Sequence, residues 1–243
     1  MSSIALISGY LALFSAFVIL IVNLVLIKKY REKKRTSTLY LILSIFGWMG
    51  AILSAMIIYW IAGFNLDVAI FFQKLVYAFV FGATILTFLF ASKVFFEPKK
   101  LLVYIYIAIG ATMVLLMLID DSVEITTFPD GSGYPLLTID LLYSLLIVVY
   151  VVPTVLGICV VAIRLSRKVE GLEKLAFKII GIGQIMLLLT FVIDTLATVF
   201  IDDLGLYSMF LYLTWIAPMI ASIFYYLGWT LPMWFKKAIK ATE

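Results

Sequence analysis

The sequence of 243 residues contains no histidine and a single cysteine, Cys159. Without histidine it can build neither a Ser/His/Asp triad nor a His-ligated haem, zinc or copper site. One cysteine cannot form an intrachain disulfide. The sequence also lacks a glycine-rich phosphate loop and a pair of carboxylates on one helix face. These absences predict a protein that is not an enzyme and that carries no cofactor and no metal.

Charged residues are scarce as well, at 13% of the chain against 65% apolar residues. A soluble domain carries about 25% charged residues, which solvate its surface. The mean hydropathy of +1.19 points the same way. Most of the molecular surface is therefore expected to face lipid rather than water.

What the sequence does have is seven long apolar stretches. A membrane-crossing helix needs about 20 such residues, whereas barrel strands are shorter and alternate apolar with polar residues. The sequence therefore predicts an all-α membrane protein, a seven-transmembrane-helix bundle forming a single domain over 1–243. The predicted helices cover residues 4–27, 38–63, 69–95, 101–119, 138–163, 177–200 and 208–231.

The basic residues fall almost entirely in alternate gaps between these stretches. Seventeen of the 18 Lys and Arg residues lie in the first, third and fifth gaps or in the C-terminal tail, and nine acidic residues lie on the opposite side. Basic loops stay in the cytoplasm. We therefore expect an N-terminus outside, a cytoplasmic C-terminus and a multi-pass protein of the plasma (cell) membrane. The pI near 9.0 is explained by this topology and by contact with the lipid bilayer, and it predicts no nucleic-acid partner.

One outer loop, residues 120–137, is longer than the others. A β-prone stretch over 123–128 is followed by Pro129-Asp130-Gly131-Ser132-Gly133, a strong turn signal. We expect a hairpin or an ordered turn across the outer mouth of the bundle, acting either as a connector or as a lid.

Three ionisable residues, Lys74, Asp140 and Asp194, are predicted to lie at membrane depth, where charges are costly and mark candidate functional sites. Polar neighbours recur around them at helical spacing, on faces that should point into the bundle. One interpretation is a ligand cavity in the outer half, and the other is a buried Lys74–Asp194 pair that fixes helix packing. The ligand-binding candidates are Lys74, Tyr77, Asp140, Tyr143, Asp194, Thr198 and Thr214.

Smaller features indicate how the helices associate. Gly47, Ala51 and Ala55 form a row of small residues that could serve internal packing or a homodimer. Asn23 and Gln184 are predicted to form interhelical hydrogen bonds.

The last helix contains no lysine, which argues against a retinal cofactor despite the count of seven helices.

The chain resembles the N-terminal seven-helix sensor region of bacterial and archaeal histidine kinases. The resemblance rests on residues 128–137 (FPDGSGYPLL), on the following LLYSLL and on residues 226–237 (YLGWTLPMWFKK). It implies a sensor that binds a ligand from outside. Because six residues follow Lys237, we expect either a receptor that signals through a separate cytoplasmic partner or a module of a longer sensor.

The leading hypothesis is thus a sensory, receptor-like membrane protein with a polar cavity in its outer half. An accessory or structural subunit of a larger membrane complex is the alternative, and the small-residue row and short tails suit it. A small-solute transporter comes third, since the sequence has no inverted repeat and no broken helices in matching positions.

Overall fold

The computed structural model describes residues 2–96, 98–119, 122–232 and 235. Within these residues the chain forms seven α-helices and one β-hairpin. The helices are α1 (Ser3–Lys33), α2 (Thr36–Ile61), α3 (Leu66–Val94), α4 (Lys100–Ile119), α5 (Leu141–Ser166), α6 (Gly171–Val199) and α7 (Leu204–Thr230). The strands are β1 (Val123–Thr127) and β2 (Pro135–Ile139). All seven helices are long and apolar enough to cross a membrane, which indicates a multi-pass membrane protein.

Polar caps determine where some helices begin. Asn65 Oδ1 accepts a hydrogen bond from the Val68 N–H at 3.1 Å, and Asp203 Oδ1 accepts one from the Leu206 N–H at 3.1 Å. Such a cap satisfies a free N–H of the first turn and typically stabilises a helix by about 1 kcal/mol. As a result α3 and α7 start before residues 69 and 208, where the apolar runs place their beginnings.

The helices pack around a ring. Helix α1 contacts α2 and α7, α3 contacts α2 and α5, and α6 contacts α5 and α7. Helix α4 lies at the periphery, mainly against α3, and its buried residues are Gly110 and Met117. Most of the α4 surface is therefore left to face lipid or another chain.

The two ends of the ring differ in chemistry. The hairpin end carries β1, β2 and the first turns of α1, α3 and α7, and the basic end carries residues 28–35 and 164–178. Seven charged residues that enter the topology prediction lie outside the described residues, namely Glu97, Asp120, Asp121, Lys236, Lys237, Lys240 and Glu243.

The small-residue row on α2 packs inside the protein. A Cβ added to Gly47 would lie 2.9 Å from the Ala83 Cβ of α3, and one added to Gly50 would lie 3.0 Å from the Phe79 ring. Ala51 is buried as well. These residues let α2 and α3 approach closely, as small residues do in membrane bundles.

Helices α6 and α7 approach even more closely at Gly228. A Cβ there would lie 2.9 Å from the Ala176 carbonyl oxygen and 3.1 Å from the Ile180 nitrogen, which are backbone atoms of α6 that cannot rotate away. We expect Gly228→Ala to lower the free energy of unfolding by about 1–3 kcal/mol. Gly157→Ala on α5 is the matched control, since nothing lies within 4 Å of its added Cβ. It should stabilise the protein by up to about 1 kcal/mol. Reversible unfolding in mixed micelles measures both, and equal effects would contradict this packing.

Candidate ligand-binding site

Asp194 is the centre of the candidate site. It lies on α6, near the hairpin end, and its side chain is exposed. Its carboxylate is nevertheless within electrostatic range of the hydroxyls of Tyr59, Tyr77 and Tyr207, which belong to α2, α3 and α7. The carboxylate therefore lies close to side chains of three other helices and is not packed into the core, which is an arrangement that a binding site can use.

Aromatic rings form much of the surroundings of Asp194. The Tyr59 ring packs edge-on against Trp215 with centroids 5.7 Å apart. Phe128 from the hairpin lies 6.3 Å from Tyr59 and 6.3 Å from Tyr207, measured between ring centroids. The Trp215 indole N–H is buried beside the Tyr59 hydroxyl. A ligand here would meet one carboxylate, several ring faces and a few hydroxyl and indole donors.

The turn of the hairpin requires glycine at two positions. Strands β1 and β2 pair antiparallel from Val123 opposite Ile139 to Thr127 opposite Pro135. Gly131 and Gly133 adopt φ values of +71° and +65°, which only glycine adopts without strain.

The hairpin packs against the tyrosines of the candidate site. Phe128 and Tyr134 are buried, and the Tyr134 hydroxyl donates to the Tyr59 carbonyl oxygen at 2.9 Å. The Ser2 hydroxyl bonds to the Asp130 carboxylate, which fastens the turn to the start of α1. Burial raises the pKa of Asp130, but the hydrogen bonds from Ser132 and Ser2 outweigh it and hold that pKa below its usual range. Asp130 is thus ionised at neutral pH and remains an acceptor for the fastening bond.

The two predicted threonines hydrogen-bond to their own helices. Thr198 donates to the Asp194 carbonyl oxygen at 3.3 Å, and Thr214 donates to the Phe210 carbonyl oxygen at 3.1 Å. Thr198 is exposed one turn beyond Asp194, whereas Thr214 is buried on α7. Their hydroxyl oxygens could still accept a hydrogen bond from a ligand.

Asp140 has a structural role. Residues 138 and 139 belong to β2, so α5 begins at Leu141 rather than at 138, and Asp140 Oδ1 accepts from the Leu142 N–H at 2.9 Å. This carboxylate caps α5 rather than entering it. An Asp just before an apolar run is a common N-cap signal, and this signal accounts for Asp140.

Lys74 and Tyr143 complete the predicted set. Lys74 is half-buried on α3, one turn before Tyr77, whose hydroxyl accepts a hydrogen bond from the Gln73 side-chain amide at 3.2 Å. Tyr143 is buried in the large hydrophobic cluster of the bundle. The residues that the structure gives as electrostatic neighbours of Asp194 are the tyrosines, so the Lys74–Asp194 pair stays a prediction.

Asn23 does not form the hydrogen bond predicted for it. Its side chain is 0% exposed, and neither of its amide atoms has a hydrogen-bond partner among the described residues. Gln184 of α6 is also 0% exposed, and its side-chain amide lies beside the hydroxyl of Tyr225 of α7. The prediction is therefore wrong at Asn23, whereas an interhelical hydrogen bond from Gln184 stays a prediction.

No set of metal ligands is found in the part of the chain that is described, because no three His, Cys, Asp or Glu side chains group together there.

Comparison with protein-family models, with curated proteins and with solved structures found no match to this chain.

Proposed function

We propose that this protein is a sensory receptor of a bacterial or archaeal plasma membrane, with its N-terminus and hairpin outside and its C-terminus in the cytoplasm. The charge distribution supports this orientation, since basic residues gather at the end opposite the hairpin. A small ligand binds beside Asp194, and a separate cytoplasmic partner receives the signal at the basic end. The role is binding rather than catalysis.

One observation carries the proposal. Asp194 is an exposed carboxylate within electrostatic range of tyrosines from three other helices, and two of these tyrosines pack against Phe128 of the hairpin. A carboxylate at membrane depth is costly, and a cationic partner offsets that cost. Tyrosine and tryptophan faces attract cations as well. These features favour a small organic cation, such as an ammonium compound, as the ligand.

The same contacts suggest how a signal would form. A ligand at Asp194 would touch α2, α3, α6 and α7 together with Phe128 of the hairpin. A ligand shifts a conformational equilibrium only through different contacts in the two states. Closing this group of elements around a cation supplies such a difference, which the helices would carry to the basic end.

The alternative, a subunit of a larger complex, has a separate observation in its favour. Helix α4 buries little of its surface in the described bundle, so a second membrane protein could cover it. A homodimer would have to use such a surface too, because Gly47 and Gly50 already face α3. In this case the role of Asp194 would be to hold helices together rather than to bind a ligand.

The test is a panel of small molecules against the purified protein in nanodiscs, with unfolding followed through its five tryptophans. The panel pairs alkylammonium and tetraalkylammonium ions with neutral isosteres and with carboxylates of equal size. At least one ammonium ion should stabilise the fold, by about 2.7 kcal/mol at 100 times its Kd, while its neutral isostere does not. No response to any ammonium ion, or equal responses to the neutral isosteres, would overturn the proposal.

A further inference from the structure

A groove of about 530 Å³ lies between α5 and α6 at the basic end, far from Asp194. Three cationic side chains line its polar part: Arg167, which follows the last residue of α5, and Lys174 and Lys178 of α6. The two lysines are four residues apart and so share one face of their helix.

These cations have no anionic partner in the described part of the chain. All three side chains are exposed, and none forms an ion pair with a carboxylate of the residues that the structure describes. Like charges at this spacing destabilise a helix slightly. An anion placed between the three would remove the repulsion and accept hydrogen bonds from each of them.

The other part of the groove is apolar. Ile163 of α5 and Ile182 and Ile185 of α6 line it, and the two isoleucines of α6 are each 39% exposed. Ile182 and Ile185 lie about 6 and 10 Å beyond Lys178 along the helix, at 1.5 Å per residue. The groove thus passes from cationic to apolar in the direction of the membrane centre.

We propose that this groove is a binding site for an anionic phospholipid. The headgroup phosphate lies among Arg167, Lys174 and Lys178, and an acyl chain lies along Ile163, Ile182 and Ile185. Basic pockets between membrane helices recognise anionic headgroups in this way. A soluble anion would use the cations but not the isoleucines, so the apolar part favours the lipid. The proposal depends neither on the ligand of Asp194 nor on which leaflet the basic end occupies.

A second basic groove on α1 provides a matched control. It has a similar volume, about 580 Å³, and is lined by Leu24, Ile27, Lys28, Arg31 and Glu32. It lies on a single helix, and Glu32 lies among its cations. Neutralising two cations there changes the total charge as much as neutralising two cations in the α5–α6 groove.

The experiment compares wild type, the double variant Arg167→Gln/Lys178→Gln and the control Lys28→Gln/Arg31→Gln. Native mass spectrometry measures the Kd for phosphatidylglycerol, for phosphatidylcholine and for inorganic phosphate. The double variant should bind phosphatidylglycerol at least about tenfold more weakly, since each basic residue near a membrane surface contributes measurably to anionic-lipid binding. The control should stay within about threefold of wild type.

Three outcomes would overturn the proposal. Equal weakening in both double variants would mean general charge attraction. Equal affinity of the wild type for the two lipids would mean that the headgroup charge is not recognised. Inorganic phosphate that displaces phosphatidylglycerol completely at comparable concentration would mean a site for a free anion. The lipid site is supported if phosphatidylglycerol stays bound in the presence of phosphate and if only the Arg167→Gln/Lys178→Gln variant loses affinity for phosphatidylglycerol.

Discussion

Replacing Phe128 with alanine should release the hairpin from the bundle while the seven helices stay folded. Phe128 is 3% exposed and packs its ring against Tyr59, Tyr134 and Tyr207. Truncating a buried phenylalanine typically costs about 3–5 kcal/mol. A two-stranded hairpin has little stability of its own. A loss of this size is therefore expected to leave it mostly undocked.

Hydrogen exchange followed by mass spectrometry measures this release. Amides of residues 122–140 should exchange much faster in Phe128→Ala, because the hairpin depends on docking for its protection. Amides of α2 and α6 should keep wild-type rates. Ile125→Ala is the control, since Ile125 lies on the same hairpin but is 49% exposed. Unchanged exchange over 122–140 in Phe128→Ala would show that Phe128 does not hold the hairpin in place.

Replacing Asp194 with asparagine should remove ligand binding and leave stability close to that of wild type. The substitution keeps the shape of the side chain and removes its charge. Hydrogen bonds to charged groups contribute about 1.5–3 kcal/mol, so the affinity for an ammonium ligand should fall about ten- to a hundredfold or more. Stability should change little because the Asp194 side chain is exposed on the described fold and is not packed into its core.

The control for this substitution is Asp202→Asn. Asp202 is an exposed carboxylate between α6 and α7, and its loss should leave both the affinity and the unfolding midpoint unchanged. A clear loss of stability in Asp194→Asn would favour the structural interpretation. If Asp194 pairs with Lys74, stranding the lysine should cost about 3–5 kcal/mol. A stability loss of that size would contradict a site built for a ligand.

The helices could be predicted from the sequence because the requirement to cross a membrane is severe and local. The ends of the helices are harder to predict. Helix α1 continues to Lys33, beyond the apolar run that ends at 27, and α6 begins at Gly171 instead of 177. Charged residues such as lysine and glutamate are good helix formers, so a helix can continue where hydropathy no longer indicates a span.

The site could be predicted only in part. Helical spacing identified Asp194 and Thr198 as one face of α6, but it could not show which distant side chains meet that face. Tyr59, Phe128 and Trp215 come from three other elements, and tertiary packing alone brings their rings together. The signals at these positions, an aromatic near a helix end or beside a turn, are common in membrane proteins and mark no site.

The most direct test of the central claim is a high-resolution map of the protein with the ammonium compound that stabilises it most. We expect ligand density beside the Asp194 carboxylate, in contact with the rings of Tyr59 and Tyr207, beneath a docked Phe128. Water or no density beside Asp194, with the compound bound elsewhere on the bundle, would contradict the claim that Asp194 forms the centre of a ligand site.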